Sequence, residues 1–147
     1  MGRYNQIGDI LAGFHYDLSA ITIHGKSRFP GLYIWLRDGT KIPVSIPDGC
    51  LLLQASKQLE MLTGGKIFAG FHEVVVDKRT KDAIQKAKIQ NKCLWRISST
   101  MFSSVRNDLM LYPLEKFATR EANKKYPPIL CYDQVMEELR AIELLKD

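Results

Sequence analysis

The segment Phe14-His15-Tyr16-Asp17 decides how the rest of this chain is interpreted. Side chains two residues apart on a β-strand point to the same face, so a strand through this segment would place the imidazole of His15 beside the carboxylate of Asp17. A second strand is predicted at residues 71–76, and His72 lies near its start. Two histidines and one carboxylate on one side of a metal ion form the facial triad of non-haem Fe(II) sites. His15, Asp17 and His72 are therefore candidate metal ligands.

A third predicted strand, at residues 94–105, carries Arg96 and Ser98 two positions apart. A guanidinium group matches a carboxylate with two parallel hydrogen bonds, so this pair is a candidate carboxylate-binding site. Taken singly, each feature has an ordinary alternative. A His-x-Asp triplet recurs by chance, an isolated histidine is commonly structural, and Arg-x-Ser also fits a plain strand face. The order of all three along the chain is more specific than any one of them.

From His15 to about Phe102 the sequence resembles the catalytic core of the isopenicillin N synthase-like family of Fe(II)- and 2-oxoglutarate-dependent oxygenases. The resemblance rests on a series of motifs that occur in the family's order: His15-Tyr16-Asp17, Leu18-Ser19-Ala20-Ile21-Thr22-Ile23, Gly31-Leu32-Tyr33-Ile34, Asp38-Gly39, Pro47-Asp48-Gly49, Leu59-Glu60-Met61-Leu62-Thr63-Gly64-Gly65, His72 and Arg96-Ile97-Ser98.

The resemblance implies a mainly β fold, a double-stranded β-helix or jelly roll. It implies that His15, Asp17 and His72 bind Fe(II), and that Arg96 and Ser98 hold the distal carboxylate of 2-oxoglutarate. The partners would be dioxygen and a small organic substrate. In this interpretation residues 1–113 form a partial oxygenase core, and residues 114–147 form a helical extension that packs on it.

Two departures from the family pattern bear on the fold. His72 and Arg96 are 24 positions apart, which is longer than the family's spacing, and a basic helical segment at residues 77–92 accounts for the surplus. This segment is a solvated excursion, a lid or a binder of acidic substrate. Only fourteen residues precede His15, so the N-terminal part of the family fold is missing from this sequence. A sheet edge left exposed in this way predicts a homo-oligomer, or cover by the missing region.

Composition places the chain among ordinary globular proteins. Its 147 residues are 46% hydrophobic and 25% charged, and no apolar run reaches the length of a membrane span. The net charge is +5, and residues 77–92 hold six basic against two acidic side chains. A local basic helix without a nucleic-acid motif predicts no nucleic-acid partner. Met1-Gly2-Arg3-Tyr4 lacks the apolar segment of a secretory signal, so we expect a cytoplasmic protein without a membrane partner.

The remaining segments predict short strands joined by turns. A hairpin is expected from residues 31–46 around Asp38-Gly39, and an apolar strand at residues 50–54 is expected to be covered on both faces. Ser56 would cap a helix that ends at Gly64-Gly65, and Thr80 would cap a helix over residues 80–90. Helices are also predicted at residues 115–125 and 133–146. Cys50, Cys93 and Cys131 are expected to be buried free thiols.

Two other functions stay open at this point. One is a catalytically inactive jelly-roll module that binds metal or serves in assembly. The other is a cupin-like domain that binds a different divalent ion, because histidine and carboxylate ligands do not by themselves select iron. His24 has no partner at ligand spacing in the sequence, and we do not predict it to be a ligand.

Overall fold

A computed structural model describes residues 6–141 of the chain. Contacts between Cα atoms divide these residues into two compact units. Unit 1 comprises residues 6–16, 23–52 and 70–101, and unit 2 comprises residues 17–22, 53–69 and 102–141. The boundary predicted after Pro113 stays a prediction. Tyr4 and residues 142–146 of the predicted C-terminal helix lie outside the described residues.

Nine short strands and five helices make up the regular structure of the described residues, and the strands are joined largely by turns, as the turn-rich sequence predicts. In chain order the elements are β1 (Ile10–His15), β2 (Ile21–His24), β3 (Leu32–Trp35), β4 (Lys41–Pro43), β5 (Leu52–Ala55), α1 (Lys57–Leu62), β6 (Phe71–Val75), α2 (Lys78–Ile89), β7 (Thr100–Ser103), β8 (Met110–Leu111), a 3-10 helix (Glu115–Phe117), α3 (Arg120–Lys125), β9 (Ile129–Leu130) and α4 (Cys131–Ala141).

A four-stranded antiparallel sheet of order β1-β6-β3-β4 forms the centre of unit 1. The pairing of β1 with β6 changes register twice, between Ile10 and Ala12 and again between Ala12 and His15. Each change adds one residue to β1 relative to its partner, which is the signature of a β-bulge. As a result His15 lies opposite His72, while Ile10 lies opposite Val75.

The predicted hairpin at Asp38-Gly39 is confirmed and joins β3 to β4. Gly39 has a φ of +82°, which a side chain would disfavour, and the Asp38 carboxylate accepts a hydrogen bond from the backbone N–H of Thr40 at 2.8 Å. Leu36 and Thr40 close the turn with a backbone hydrogen bond of 2.9 Å. The sequence therefore specifies this turn locally.

Helix α2 is confirmed, but its predicted N-cap is wrong. Asp77, not Thr80, is the N-cap, and its carboxylate accepts a hydrogen bond from the Thr80 N–H at 2.7 Å. The Thr80 hydroxyl in turn lies 3.2 Å from the Asp77 N–H, which completes a capping box. Both residue types cap helices well, so the sequence alone left the choice between them open.

Unit 2 contains a small apolar core made of Met61, Leu111, Tyr126 and Cys131. Glu60 on α1 is buried, and its carboxylate accepts two hydrogen bonds. One comes from the Ala69 N–H at 2.9 Å and holds the loop that follows α1, and the other comes from the Tyr126 hydroxyl at 3.0 Å. The helix ends before Gly64 and Gly65, as predicted, and both have positive φ.

The helix predicted over residues 115–125 is split into a 3-10 turn and α3. Strand β9, which the sequence did not predict, follows and pairs with β8 through Leu111↔Ile129. Its first residue comes directly after Pro127-Pro128, where the helix was expected to break.

A three-stranded sheet has the order β5-β2-β7. Two expectations about these strands are wrong. The long strand predicted at residues 94–105 is regular only at Thr100–Ser103. Strand β5 is not covered on both faces, because Leu53 is 64% exposed.

The cysteine prediction is wrong for two of three residues. All three are free thiols, but Cys50 and Cys93 are exposed and only Cys131 is buried. The Cys131 thiol donates to the Val105 carbonyl at 3.2 Å, and burial raises the pKa of this thiol. Among the described residues, no helix is long and apolar enough to cross a membrane.

Candidate functional site

The two candidate histidines face each other across the β1–β6 pair. Their Cα positions are in register, and the ring centroids are 4.2 Å apart with the planes tilted by 50°. His72 is buried and His15 is exposed. Strand pairing thus brings together two imidazoles that are 57 residues apart in the sequence.

Each histidine is oriented by a backbone carbonyl two residues earlier in the chain. Nδ1 of His15 lies 2.6 Å from the Gly13 oxygen, and Nδ1 of His72 lies 3.3 Å from the Gly70 oxygen. A carbonyl only accepts, so each of these hydrogen bonds requires the hydrogen on Nδ1, and in a neutral ring the lone pair is then on Nε2. Metal-binding histidines are held in this way by an outer hydrogen bond.

Asp17 joins these histidines, although not on the predicted strand. Strand β1 ends at His15, and Asp17 lies beyond it. The backbone carbonyl of Asp17 accepts a hydrogen bond of 2.9 Å from the N–H of Lys57 at the start of α1. One ligand atom from each of His15, Asp17 and His72 lies within 4.8 Å of the others, with Asp17 and His72 buried.

Aromatic rings stabilise the strand pairing that aligns the histidines. Phe14 stacks on Phe71 with centroids 4.7 Å apart, and Tyr16 meets the same ring edge-on at 5.0 Å. Trp35 meets Phe14 edge-on at 5.6 Å. Phe14 and Phe71 immediately precede His15 and His72, so side-chain alternation directs them to the opposite face of the sheet. These aromatic contacts therefore support the register without occupying the histidine face.

Arg96 and Ser98 line one cavity of about 180 Å³ in unit 1. They do not lie on a regular strand, contrary to expectation, because β7 begins only at Thr100. The chain nevertheless stays close to the end of β2 through a 2.8 Å hydrogen bond from Gly25 N–H to Ser99 oxygen. The cavity is thus bordered by both members of the predicted carboxylate-binding pair.

The guanidinium of Arg96 lacks a full set of partners. Within the described part of the chain, its Nε is buried and has no hydrogen-bond partner. Burial alone lowers the pKa of Arg96, yet an arginine stays charged near neutral pH. A partly buried cation of this kind is stabilised by an anion, and the cavity gives an anion access to it.

His24 is a neighbour of this site that the sequence did not mark. It is 8% exposed, borders the cavity of Arg96 and Ser98, and its ring centroid is 5.8 Å from that of His72. The spacing was visible in the sequence, where His24 stands two residues after Thr22 in a β-branched run, and the structure shows that both side chains are buried. Alternation therefore predicts that it faces inward.

Comparison with solved structures gives the fold. The chain superposes on a full-length Neurospora crassa protein, solved in complex with alpha-KG, with a TM-score of 0.72 at 18% identity, over 90% of this chain and 38% of that one. For the rice dioxygenase for auxin oxidation the TM-score is 0.73 at 16% identity, over 92% of this chain and 42% of the rice protein. For a Caulobacter crescentus protein assigned to the 2OG-Fe(II) oxygenase family the TM-score is 0.69 at 26% identity, over 89% of this chain and 40% of that protein.

The chain has the fold of 2-oxoglutarate- and Fe(II)-dependent oxygenases. This confirms the mainly β, jelly-roll class predicted from the motifs. The chain spans about two-fifths of the length of these solved proteins. No family model matches the sequence, and no curated protein matches it.

Proposed function

We propose that this chain is the metal-binding part of an Fe(II)- and 2-oxoglutarate-dependent oxygenase that oxidises a small organic substrate. The observation that carries the proposal is the triad of His15, Asp17 and His72, whose ligand atoms lie within 4.8 Å of one another. Two imidazoles and one carboxylate suit Fe(II) and leave other coordination positions for co-substrate and dioxygen. Iron with dioxygen and a 2-oxo acid supplies the oxidising chemistry when bound.

The protein groups have separate tasks in this proposal. His15, Asp17 and His72 hold the metal, and the Gly13 and Gly70 carbonyls fix the two imidazole planes. Arg96 and Ser98 receive the distal carboxylate of 2-oxoglutarate. The cavity that they border has a volume of about 180 Å³, which suits a ligand no larger than a compact dicarboxylate.

The direct test is anaerobic reconstitution of the chain with Fe(II), followed by titration with 2-oxoglutarate. We expect the visible charge-transfer band of a metal-chelated 2-oxo acid. Asp17→Ala should abolish iron binding and the band. Asp108→Ala is the matched control, because Asp108 is exposed and, in the described part of the chain, forms an ion pair with Arg106. Iron bound by Asp17→Ala at the stoichiometry of the unmodified chain would overturn the metal site.

Two further measurements separate the alternatives. Consumption of 2-oxoglutarate under air distinguishes an oxygenase from an inactive metal-binding or assembly module, which would bind Fe(II) without turnover. Competition with Mn(II), Ni(II) and Zn(II) tests the cupin-like alternative, because the usual affinity order favours nickel and zinc over iron at such ligands. Light scattering tests the predicted self-association, and cell fractionation tests the expected cytoplasmic location.

A further inference from the structure

His24 has a position that the metal triad and the Arg96–Ser98 pair do not explain. It is buried at the end of β2, with its ring centroid 5.8 Å from that of the proposed ligand His72 and the planes at 78°. It also lines the cavity that Arg96 and Ser98 border. One imidazole therefore adjoins both the metal end and the carboxylate end of the proposed site.

A co-substrate that binds a metal through its 2-oxo acid group and reaches Arg96 with its other end must pass this region. Its distal carboxylate carries two oxygens with about four acceptor positions in all. The Arg96 fork and the Ser98 hydroxyl leave room for a further donor, and an imidazole N–H is a suitable one. We infer that His24 donates a hydrogen bond to the distal carboxylate of the 2-oxo acid; this inference rests on the proposed function.

Two cationic side chains besides Arg96 line the cavity, Lys26 and Arg28. The Lys26 ammonium forms an ion pair with Asp48 at 2.5 Å. The Arg28 guanidinium donates to the Cys93 carbonyl at 2.8 Å. His24 is more buried than either of these residues, so its contact with an anion would be less screened by solvent. This favours His24 as the additional carboxylate donor.

The test compares two ligands of equal chain length. The Mn(II)-loaded chain is titrated calorimetrically, under nitrogen, with 2-oxoglutarate and with 2-oxopentanoate, which has a methyl group in place of the distal carboxylate. His24→Leu should weaken 2-oxoglutarate binding by about 10- to 100-fold, the range for a hydrogen bond to a charged group. It should change 2-oxopentanoate binding by less than about threefold. His24→Gln keeps an N–H donor and should restore most of the affinity.

The outcomes separate this inference from the proposal beneath it. Equal loss of affinity for both ligands in His24→Leu would mean that His24 only shapes the metal end, and the inference would be wrong. Unchanged 2-oxoglutarate affinity in His24→Leu, alongside a loss in Arg96→Ala, would overturn the inference and leave the proposed function intact. Failure of the unmodified chain to bind Mn(II) or 2-oxoglutarate would overturn both.

A measurement on the unmodified chain keeps the inference testable if His24→Leu does not fold. In the Zn(II)-loaded, nitrogen-15-labelled protein, the His24 imidazole N–H resonance should shift on addition of 2-oxoglutarate and not on addition of 2-oxopentanoate. Identical spectra with the two ligands would contradict the inference.

Discussion

Replacing Arg96 by methionine should make the chain more stable and at the same time remove its proposed co-substrate binding. The Nε of Arg96 is buried without a hydrogen-bond partner among the described residues, and burial lowers the pKa of this side chain. A buried polar group left unsatisfied costs about 1–3 kcal/mol. Because Arg96 is only half-buried, solvent screening reduces this cost to about 1 kcal/mol. Methionine keeps the apolar stem and removes the charge.

The expected change is measurable by thermal unfolding. A gain of about 1 kcal/mol raises the Tm of a chain of this size by roughly 2–4 °C. In the Mn(II)-loaded protein, 2-oxoglutarate at about 100 times its Kd adds about 2.7 kcal/mol to the unmodified chain. The Tm of the unmodified chain should then rise by roughly 5–10 °C with ligand. The ligand-free Arg96→Met variant should have a higher Tm than the unmodified chain, and its Tm should change little when 2-oxoglutarate is added.

Arg28→Met is the matched control, because Arg28 borders the same cavity but donates to the Cys93 carbonyl at 2.8 Å. It should not raise the Tm, since it removes a hydrogen bond and no unsatisfied group. A Tm for ligand-free Arg96→Met at or below that of the unmodified chain would refute this reasoning. A full ligand-induced shift in the same variant would refute it equally.

Three other substitutions test the stability of the fold. Burial raises the pKa of Asp77, but hydrogen bonds from Tyr33 and Thr80 outweigh it and hold this pKa well below its usual range. The contribution of Asp77 to the free energy of unfolding is therefore complete above the unfolded-state pKa, near 4, and declines at lower pH. Asp77→Ala should lower the free energy of unfolding in urea by about 1 kcal/mol at pH 7 and by less at pH 3. An equal loss at the two pH values would contradict this linkage. Gly64→Ala should lower the Tm by several degrees, because φ is +54° and an added Cβ would lie 2.8 Å from the Phe117 oxygen; an unchanged Tm would mean that the loop yields freely. Gln58→Ala should lower the free energy of chemical unfolding by about 2 kcal/mol, because the fully buried side-chain amide accepts a hydrogen bond from the Val105 N–H at 2.9 Å. A loss below about 0.5 kcal/mol would show that water replaces the Gln58 amide as the partner of this N–H.

Local chemistry made several elements predictable. The Asp38-Gly39 turn and the Gly64-Gly65 helix stop depend on positive φ at glycine, which is a property of the residue itself. The proximity of His15 and His72 followed from the order of the family motifs. Their orientation by the Gly13 and Gly70 carbonyls did not follow from the sequence, because it depends on rotamers.

Features that depend on neighbouring elements were harder to predict. The apolar run in β5 indicated burial on both faces, yet Leu53 is largely exposed, because coverage is decided by which element packs there. The exposure of Cys50 and Cys93 has the same reason. The sequence does not mark His24, because the position of His24 near His72 and in the cavity of Arg96 depends on how segments far apart in the sequence are placed.

The two register changes in β1 make the site sensitive to residue spacing in a way that point substitutions do not reveal. With the register of the Ile10↔Val75 pair continued unchanged, the residue opposite His72 would be Gly13 instead of His15. Removing both extra residues of β1 would therefore leave His72 without its partner, although every ligand was still present in the sequence. Among relatives of this chain, length changes within β1 should be tolerated less than almost any change of side chain there. An insertion or deletion in this strand is therefore expected to separate the two histidines of the candidate site.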